Sequence, residues 1–229
     1  MSDTIILSLG GSIIIPGEVN TNFLKKFRTL ILNYIKAGNR AVIVAGGGHV
    51  CRVYQNAANK ILAPKKVSDL DLDWIGIKAT KMNAELIRTI FSKEAYGQVI
   101  DNPTKKVSTS KKVIVGSGWL PNCSSDKDAV LLARTYRAKT VVNLTNIDYV
   151  YDKDPRKFRD ANPLKQMSWK QMEKIVGSKW KPGANLPFDP VASKLAARLK
   201  LRVIIMNGTN LVNFKNFLAG KKFKGTIIG

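Results

Sequence analysis

Three short loops in this sequence have the residue types to hold phosphate: Gly10-Gly11-Ser12, Gly46-Gly47-Gly48 and Gly116-Ser117-Gly118. Each follows an apolar, β-rich run. Glycine lets a backbone approach an anion closely, and exposed amides at a following helix start add donors and a positive dipole end. A single loop of this kind is explained by a tight turn. Three at the carboxyl ends of strands in one sheet form the pattern of a polyphosphate-handling site. None matches the P-loop or the spaced dinucleotide fingerprint. Arg52 lies four residues beyond Gly48, one helical turn on. From there a guanidinium can reach back over the loop and grip phosphate with two hydrogen bonds. The run Ser124-Ser125-Asp126-Lys127-Asp128 opens a helix. One serine or aspartate suffices for an N-cap, so the extra polar groups offer Ser124 and Ser125 to a phosphate. Asp126 is then placed to position a lysine or a metal-bound phosphate.

These residues need a scaffold, and the alternation of strand-like and helix-like segments supplies one. Strands are expected at Thr4 to Leu9, Ala41 to Ala45, Lys112 to Val115, Thr140 to Leu144, Val203 to Met206 and Thr226 to Ile228. Helices are expected through Phe23 to Ile35, Val53 to Ala58, Leu70 to Phe91, Ala129 to Tyr136, Ser168 to Val176, Pro190 to Leu199 and Leu211 to Leu218. Gly38 ends the first helix, Asn210 caps the last, and Asp148 to Lys153 reads as a turn or hairpin insertion. Such alternation implies a mostly parallel sheet covered by helices.

Composition narrows the class. With 229 residues, 45% hydrophobic and 24% charged, the chain has the material for one α/β domain or two joined lobes and not for a disordered segment. Lys+Arg 38 against Asp+Glu 16 gives a formal charge of +22, which attracts nucleotides, nucleic acid or anionic lipid alike. The basic residues are scattered, so a dedicated nucleic-acid face and a generally basic surface stay equally open. Cys51 and Cys123 make no disulfide framework and fit no metal-ligand spacing, so both read as small buried hydrophobes. His49 is the only histidine. The amino terminus lacks the charged start of a signal peptide, and no run approaches ~20 apolar residues. A cytoplasmic enzyme is expected.

Taken together, the segments resemble the amino acid kinase family, and within it the uridylate (UMP) kinases of the archaeal kind. The glycine pair, the triple glycine with Arg52, Asp73-Trp74-Ile75-Gly76, the loop Gly118-Trp119-Leu120-Pro121 and the Ser/Thr-Asp helix start come in the same order. So do Thr145 to Pro155 and Asp189-Pro190-Val191-Ala192-Ser193-Lys194, and the similarity spans essentially the whole chain. The most specific element is Asn146-Ile147-Asp148-Tyr149-Val150-Tyr151 with Asp154-Pro155. The resemblance implies a three-layer α/β/α sandwich in one domain, with residues 1–138 binding the acceptor and 139–229 binding ATP. It implies that Gly47, Asp73, Gly118, Ser124 and Ser125 hold the acceptor, with Asp73 on a ribose hydroxyl. Gly10, Gly11, Gly48 and Arg52 would meet the transferring phosphates. Thr145, Asn146, Tyr151 and Asp154 would hold the adenine and ribose of ATP, which brings Mg2+ with it. It also implies a homo-oligomer, commonly a hexamer.

Two residues depart from the pattern. Ser8 stands where many relatives have lysine, and Tyr149 where they have glycine. Lys194, one turn into a helix whose start is explained by an aspartate cap and proline at the first position, is the expected replacement cation, although a solvated surface position fits the sequence equally well. A tyrosine at Tyr149 would be strained if that turn needed positive φ. The expected activity is transfer of the γ-phosphoryl group of Mg·ATP to UMP. A kinase of the same fold acting on isopentenyl phosphate, a carbamate or acetylglutamate, or a non-catalytic nucleotide or oxyanion binder, is the alternative.

Overall fold

A computed structural model describes residues 3–155, 157–183 and 186–229. Along the chain come β1 (Thr4–Leu9), α1 (Gly11–Ile14), α2 (Thr21–Lys36), β2 (Arg40–Ala45), α3 (Gly48–Leu62), α4 (Asp69–Ile90), β3 (Val113–Gly116) and α5 (Ser125–Tyr136). They are followed by β4 (Thr140–Thr145), β5 (Val150–Tyr151), β6 (Pro163–Leu164), β7 (Gln166–Met167), α6 (Trp169–Val176), α7 (Pro190–Arg198), β8 (Arg202–Asn207), α8 (Leu211–Leu218) and β9 (Thr226–Ile228).

The main sheet runs β3-β2-β1-β4-β8-β9-β7. Its pairs are parallel except β8 with β9. The central strands are continuous apolar runs because both faces are covered, as in parallel sheets generally. Side chains alternate between two cores. Leu7, Leu9, Ile43 and Val115 pack with Phe27, Ile87 and Phe91 from α2 and the end of α4. Ile6, Val42, Val44 and Ile114 pack with Ala129, Val130 and Ala133 of α5 and Ala192 of α7. The result is the expected α/β/α sandwich.

Strand order places the site. The chain leaves β1 for β2 and β3 on one side, then returns to β4 on the other side of β1. At such a switch point the loops beyond the carboxyl ends diverge and leave a crevice.

The elements match the sequence reading closely, with four differences. α3 extends to Gly48 and Leu62 on both sides of its expected core. The single turn α1 and the two-residue strand β7 were not expected. The hairpin expected at Asp148 to Lys153 is present as a small antiparallel pair, β5 with β6, but reaches on to Leu164. Tyr149 is not among the residues with positive φ, so its side chain imposes no backbone strain.

One helix is unusually bare. Of the fifteen residues of α3 only Gln55 is buried, and Val53, Tyr54, Ile61 and Leu62 are exposed beside Leu70, Trp74 and Met82 of α4.

Candidate active site

The first two glycine loops touch each other through their backbones. A Cβ on Gly11 would lie 2.1 Å from the Gly48 nitrogen, and one on Gly48 would lie 2.3 Å from the Gly11 oxygen. Gly48 also has φ +68°, which favours glycine. The pair is thus required by packing before any ligand is considered. Asn83 of α4, buried, donates its side-chain amide to the carbonyls of Gly46 and Gly47 at 2.7 and 3.0 Å. Those carbonyls are therefore committed inward, and the loop enters α3 with Arg52 exposed on its second turn.

On the other face of the sheet, the starts of α5 and α7 are tied together. Ser124 caps α5 by accepting the Asp126 N–H at 3.1 Å. Its own N–H donates to Asp189 Oδ2. Asp189 caps α7 by accepting from Val191 and Ala192, and its N–H donates to Asp126 Oδ2 at 3.2 Å. Ser8, on the face of β1 shared with Ile6, donates its hydroxyl to Asp126 Oδ1 at 2.8 Å. Burial pushes Asp126 up to about 6, opposed by the Ser8 bond and aided by the charge of Asp189. Asp128, 2% exposed, accepts the Trp119 N–H at 3.3 Å. Burial pushes it up to about 8. Helix N-termini pointing at one crevice from both layers give it a positive field suited to anions.

Two clefts open there. The smaller, about 130 Å³, is lined by Gly47, Asp73, Gly118, Ser124 and Ser125 among others. Asp73, 6% exposed, accepts the Asn122 N–H at 2.7 Å and the Trp180 indole N–H at 3.1 and 3.3 Å. Gly118 is held by donating its N–H to Thr80 Oγ1 at 2.8 Å. The larger cleft, about 750 Å³, is lined by residues 145–147 and 149–155 with Lys174, Ile175, Leu186 and Pro187. The smaller cleft thus adjoins the loop after β2 at Gly47, and the larger begins at Thr145, the end of β4.

Residues 3–207 match the model of the amino acid kinase family. The chain belongs to that family. It is similar to the uridylate kinase of Methanococcus aeolicus, 33% identical over 208 residues that cover 89% of this chain and 90% of that protein. Similarity to the uridylate kinase of Sulfurisphaera tokodaii is 33% over 92% and 93% of the two chains. Among solved structures, uridylate kinase from Archaeoglobus fulgidus superposes with a TM-score of 0.80 at 29% identity, covering 99% of this chain and all of that one. Aspartate kinase from Synechocystis shares the fold alone, with a TM-score of 0.71 at 14% identity over 98% of this chain and 39% of its own.

Within this amino acid kinase fold, most residues singled out in the sequence fall into three groups, while Arg52, exposed on α3, and Asp126, bonded to Ser8, line neither cleft. Gly47, Asp73, Gly118, Ser124 and Ser125 line the smaller cleft together. Thr145, Asn146, Tyr151 and Asp154 line the larger. Gly10, Gly11 and Gly48 lie at the junction of the β1 and β2 loops, where the Gly10 N–H donates to Leu144 O at 2.9 Å. Lys194 joins none of them. Ala192, Ser193 and Ala196 take the buried face of α7, so Lys194 falls on the outer side. There its ammonium lies 3.5 Å from Ser178 O and 3.9 Å from Glu173, and it makes no bond to Asp126. The partner of Asp126 is Ser8 itself, the residue that replaces the lysine. The cysteines are corrected too. Cys51 and Cys123 are half-buried and both line the smaller cleft. Burial raises both thiols, Cys123 to about 12, which keeps them poor nucleophiles. Sequence reasoning missed Asn83 and Trp180. Asn83 left a signal, an amide beside Ala79, Ala84 and Ile87 on the buried stripe of α4. Trp180 left none, being 107 residues from its partner.

Proposed function

We propose that this protein is a UMP kinase that moves the γ-phosphoryl group of Mg·ATP onto the 5′-phosphate of UMP, giving UDP and ADP. One observation carries the proposal: a buried aspartate faces a cleft across the glycine loops from a second cleft large enough for ATP. The uridylate kinases similar to this chain along nearly its whole length support the same acceptor.

In this reading Asp73, Gly47, Gly118, Ser124 and Ser125 hold UMP, with Asp73 on the ribose. Thr145, Asn146, Tyr151 and Asp154 hold the nucleoside of ATP. An oxygen of the acceptor phosphate forms a bond to the γ-phosphorus as the bond to the β,γ-bridging oxygen breaks. The attacking oxygen is already anionic, so no general base is needed. The task is alignment of two polyanions and neutralisation of their repulsion. Arg52 and the Mg2+ that arrives with ATP supply cations, while the amides at Gly10, Gly11 and Gly48 and the converging helix starts supply dipoles. Asp126, held by Ser8, fixes the start of α5 against that of α7. Lys194 is left out of the machinery because its ammonium faces Glu173.

The reading extends to the working unit. Residues 1–138 serve the acceptor and 139–229 serve ATP. The exposed apolar residues of α3 and α4 form the contact of a homo-oligomer, a hexamer in full. The enzyme acts in the cytoplasm, in pyrimidine nucleotide synthesis.

A coupled assay with UMP, CMP, acetylglutamate and isopentenyl phosphate tests the activity. UMP is expected to be turned over with the highest kcat/KM. Preference for any other acceptor refutes the assignment, and tight binding of ATP and UMP without UDP formation refutes catalysis.

A further inference from the structure

The smaller cleft is lined by a side chain that lies 107 residues from Asp73 in the sequence. Trp180 lies in the segment between α6 and α7, and its indole N–H divides between the two carboxylate oxygens of Asp73 at 3.1 and 3.3 Å. With the Asn122 N–H already on Oδ2 at 2.7 Å, three contacts use most of the roughly four lone-pair positions of a carboxylate. A ribose diol brings two hydroxyl donors, and both cannot be accommodated while the indole stays. Space leads to the same point. At about 130 Å³ the cleft falls below the roughly 300 Å³ at which pockets for small molecules begin.

Most other walls are fixed. Gly47, Cys51 and Gln55 belong to the start and body of α3, and Gly76, Ile77 and Thr80 to α4. Gln55 is anchored through Leu72 O at 2.8 Å, and Gly118 through Thr80 at 2.8 Å. Trp180 and Gly183, by contrast, stand outside any helix or strand, and Lys179 and Lys181 on either side of the indole are exposed.

We infer that Trp180 is a built-in competitor for Asp73, bound there in place of the acceptor's ribose and displaced when the acceptor enters. The inference rests on the UMP kinase reading, which assigns Asp73 to the ribose. The exchange trades one shared N–H donor for two O–H donors and opens the cleft. Its consequence is that the acceptor binds more weakly than the cleft itself would allow, because the indole must first be removed.

The test is Trp180→Phe, which keeps an aromatic ring and deletes the N–H. The KM for UMP is expected to fall on the order of tenfold, the net worth of one hydrogen bond to a charged group. Both kcat and the KM for ATP should stay within about twofold. Damage to the fold does not tighten substrate binding, so a lowered KM separates competition from a structural role. An unchanged or raised KM for UMP, with UDP still formed, overturns the inference and leaves the kinase reading standing. A second measurement needs no variant: in the wild-type protein, UMP is expected to increase quenching of tryptophan fluorescence by acrylamide as Trp180 leaves its carboxylate. Unaltered quenching at saturating UMP overturns the inference. Failure of both wild type and Trp180→Phe to bind UMP by calorimetry overturns the inference and the kinase reading together.

Discussion

Replacing Ser8 by alanine removes the hydroxyl that donates to Asp126 Oδ1 at 2.8 Å at a position only 2% exposed. Water cannot easily take the donor's place. A hydrogen bond to a charged group contributes about 1.5–3 kcal/mol net. For a chain of this length each kcal/mol corresponds to roughly 2–4 °C, so a loss near 2 kcal/mol lowers Tm by about 4–8 °C at pH 8. The deficit depends on pH, and its sign follows from Asp126. Its carboxyl titrates near 6 in the folded protein against about 3.9 in an unfolded chain. Between those values the folded state binds the extra proton, so this group makes stability fall as pH rises. Losing the Ser8 bond, which favours the ionised form, raises the folded value and extends the fall toward pH 8. Below about pH 5 the carboxyl is protonated with or without Ser8, and the deficit shrinks toward the 0.5–1.5 kcal/mol of a neutral bond. Urea unfolding of both proteins followed by circular dichroism from pH 5 to 8.5 provides the check. A deficit of equal size at both ends, or one below about 0.5 kcal/mol at pH 8, refutes the reasoning.

Four further outcomes are expected. In steady-state assays of UDP formation, Arg52→Ala lowers kcat/KM on the order of a hundredfold through lost charge-assisted bonds to phosphate. In the same assay Lys194→Ala stays within about threefold, since its exposed pairing with Glu173 contributes little. Asn83→Ala removes the side-chain amide that donates to the Gly46 and Gly47 carbonyls; denaturant titration should find a loss of about 2–4 kcal/mol, with kcat reduced at least severalfold. Asp128→Asn abolishes a carboxyl that titrates near 8 in the folded state while keeping an acceptor for the Trp119 N–H. Wild-type stability falls between about pH 4 and 8 from this group, so the variant gains relative to wild type as pH rises, by about 4–5 kcal/mol between pH 4.5 and 8.5 in paired thermal scans.

The layers and the sheet were legible because strands buried on both faces are written as unbroken apolar runs and helices as spaced ones. The membership of both clefts was legible chiefly through the family resemblance, which assigned Gly47, Asp73 and Tyr151 position by position; the pattern alone offered the glycine loops and the Ser124-Ser125 helix start. Rotation about a helix axis was harder to read. Lys194 was expected beside Asp126 from its place one turn into α7, but the buried stripe of Ala192, Ser193 and Ala196 turns it outward. Ser8 read as a missing cation, when its hydroxyl is the partner of Asp126. Contacts between distant segments, such as Trp180 with Asp73, leave no local trace because neither residue is unusual among its neighbours.

β1 is hydrogen-bonded to β2 along one edge and to β4 along the other, residue by residue from Ile6 to Leu9 on the β4 side. The glycine loops and the larger cleft therefore hang from a single ladder with no hinge between them. Rotating one against the other would have to break that ladder. The distance across which phosphate is passed is then a fixed property of the sheet.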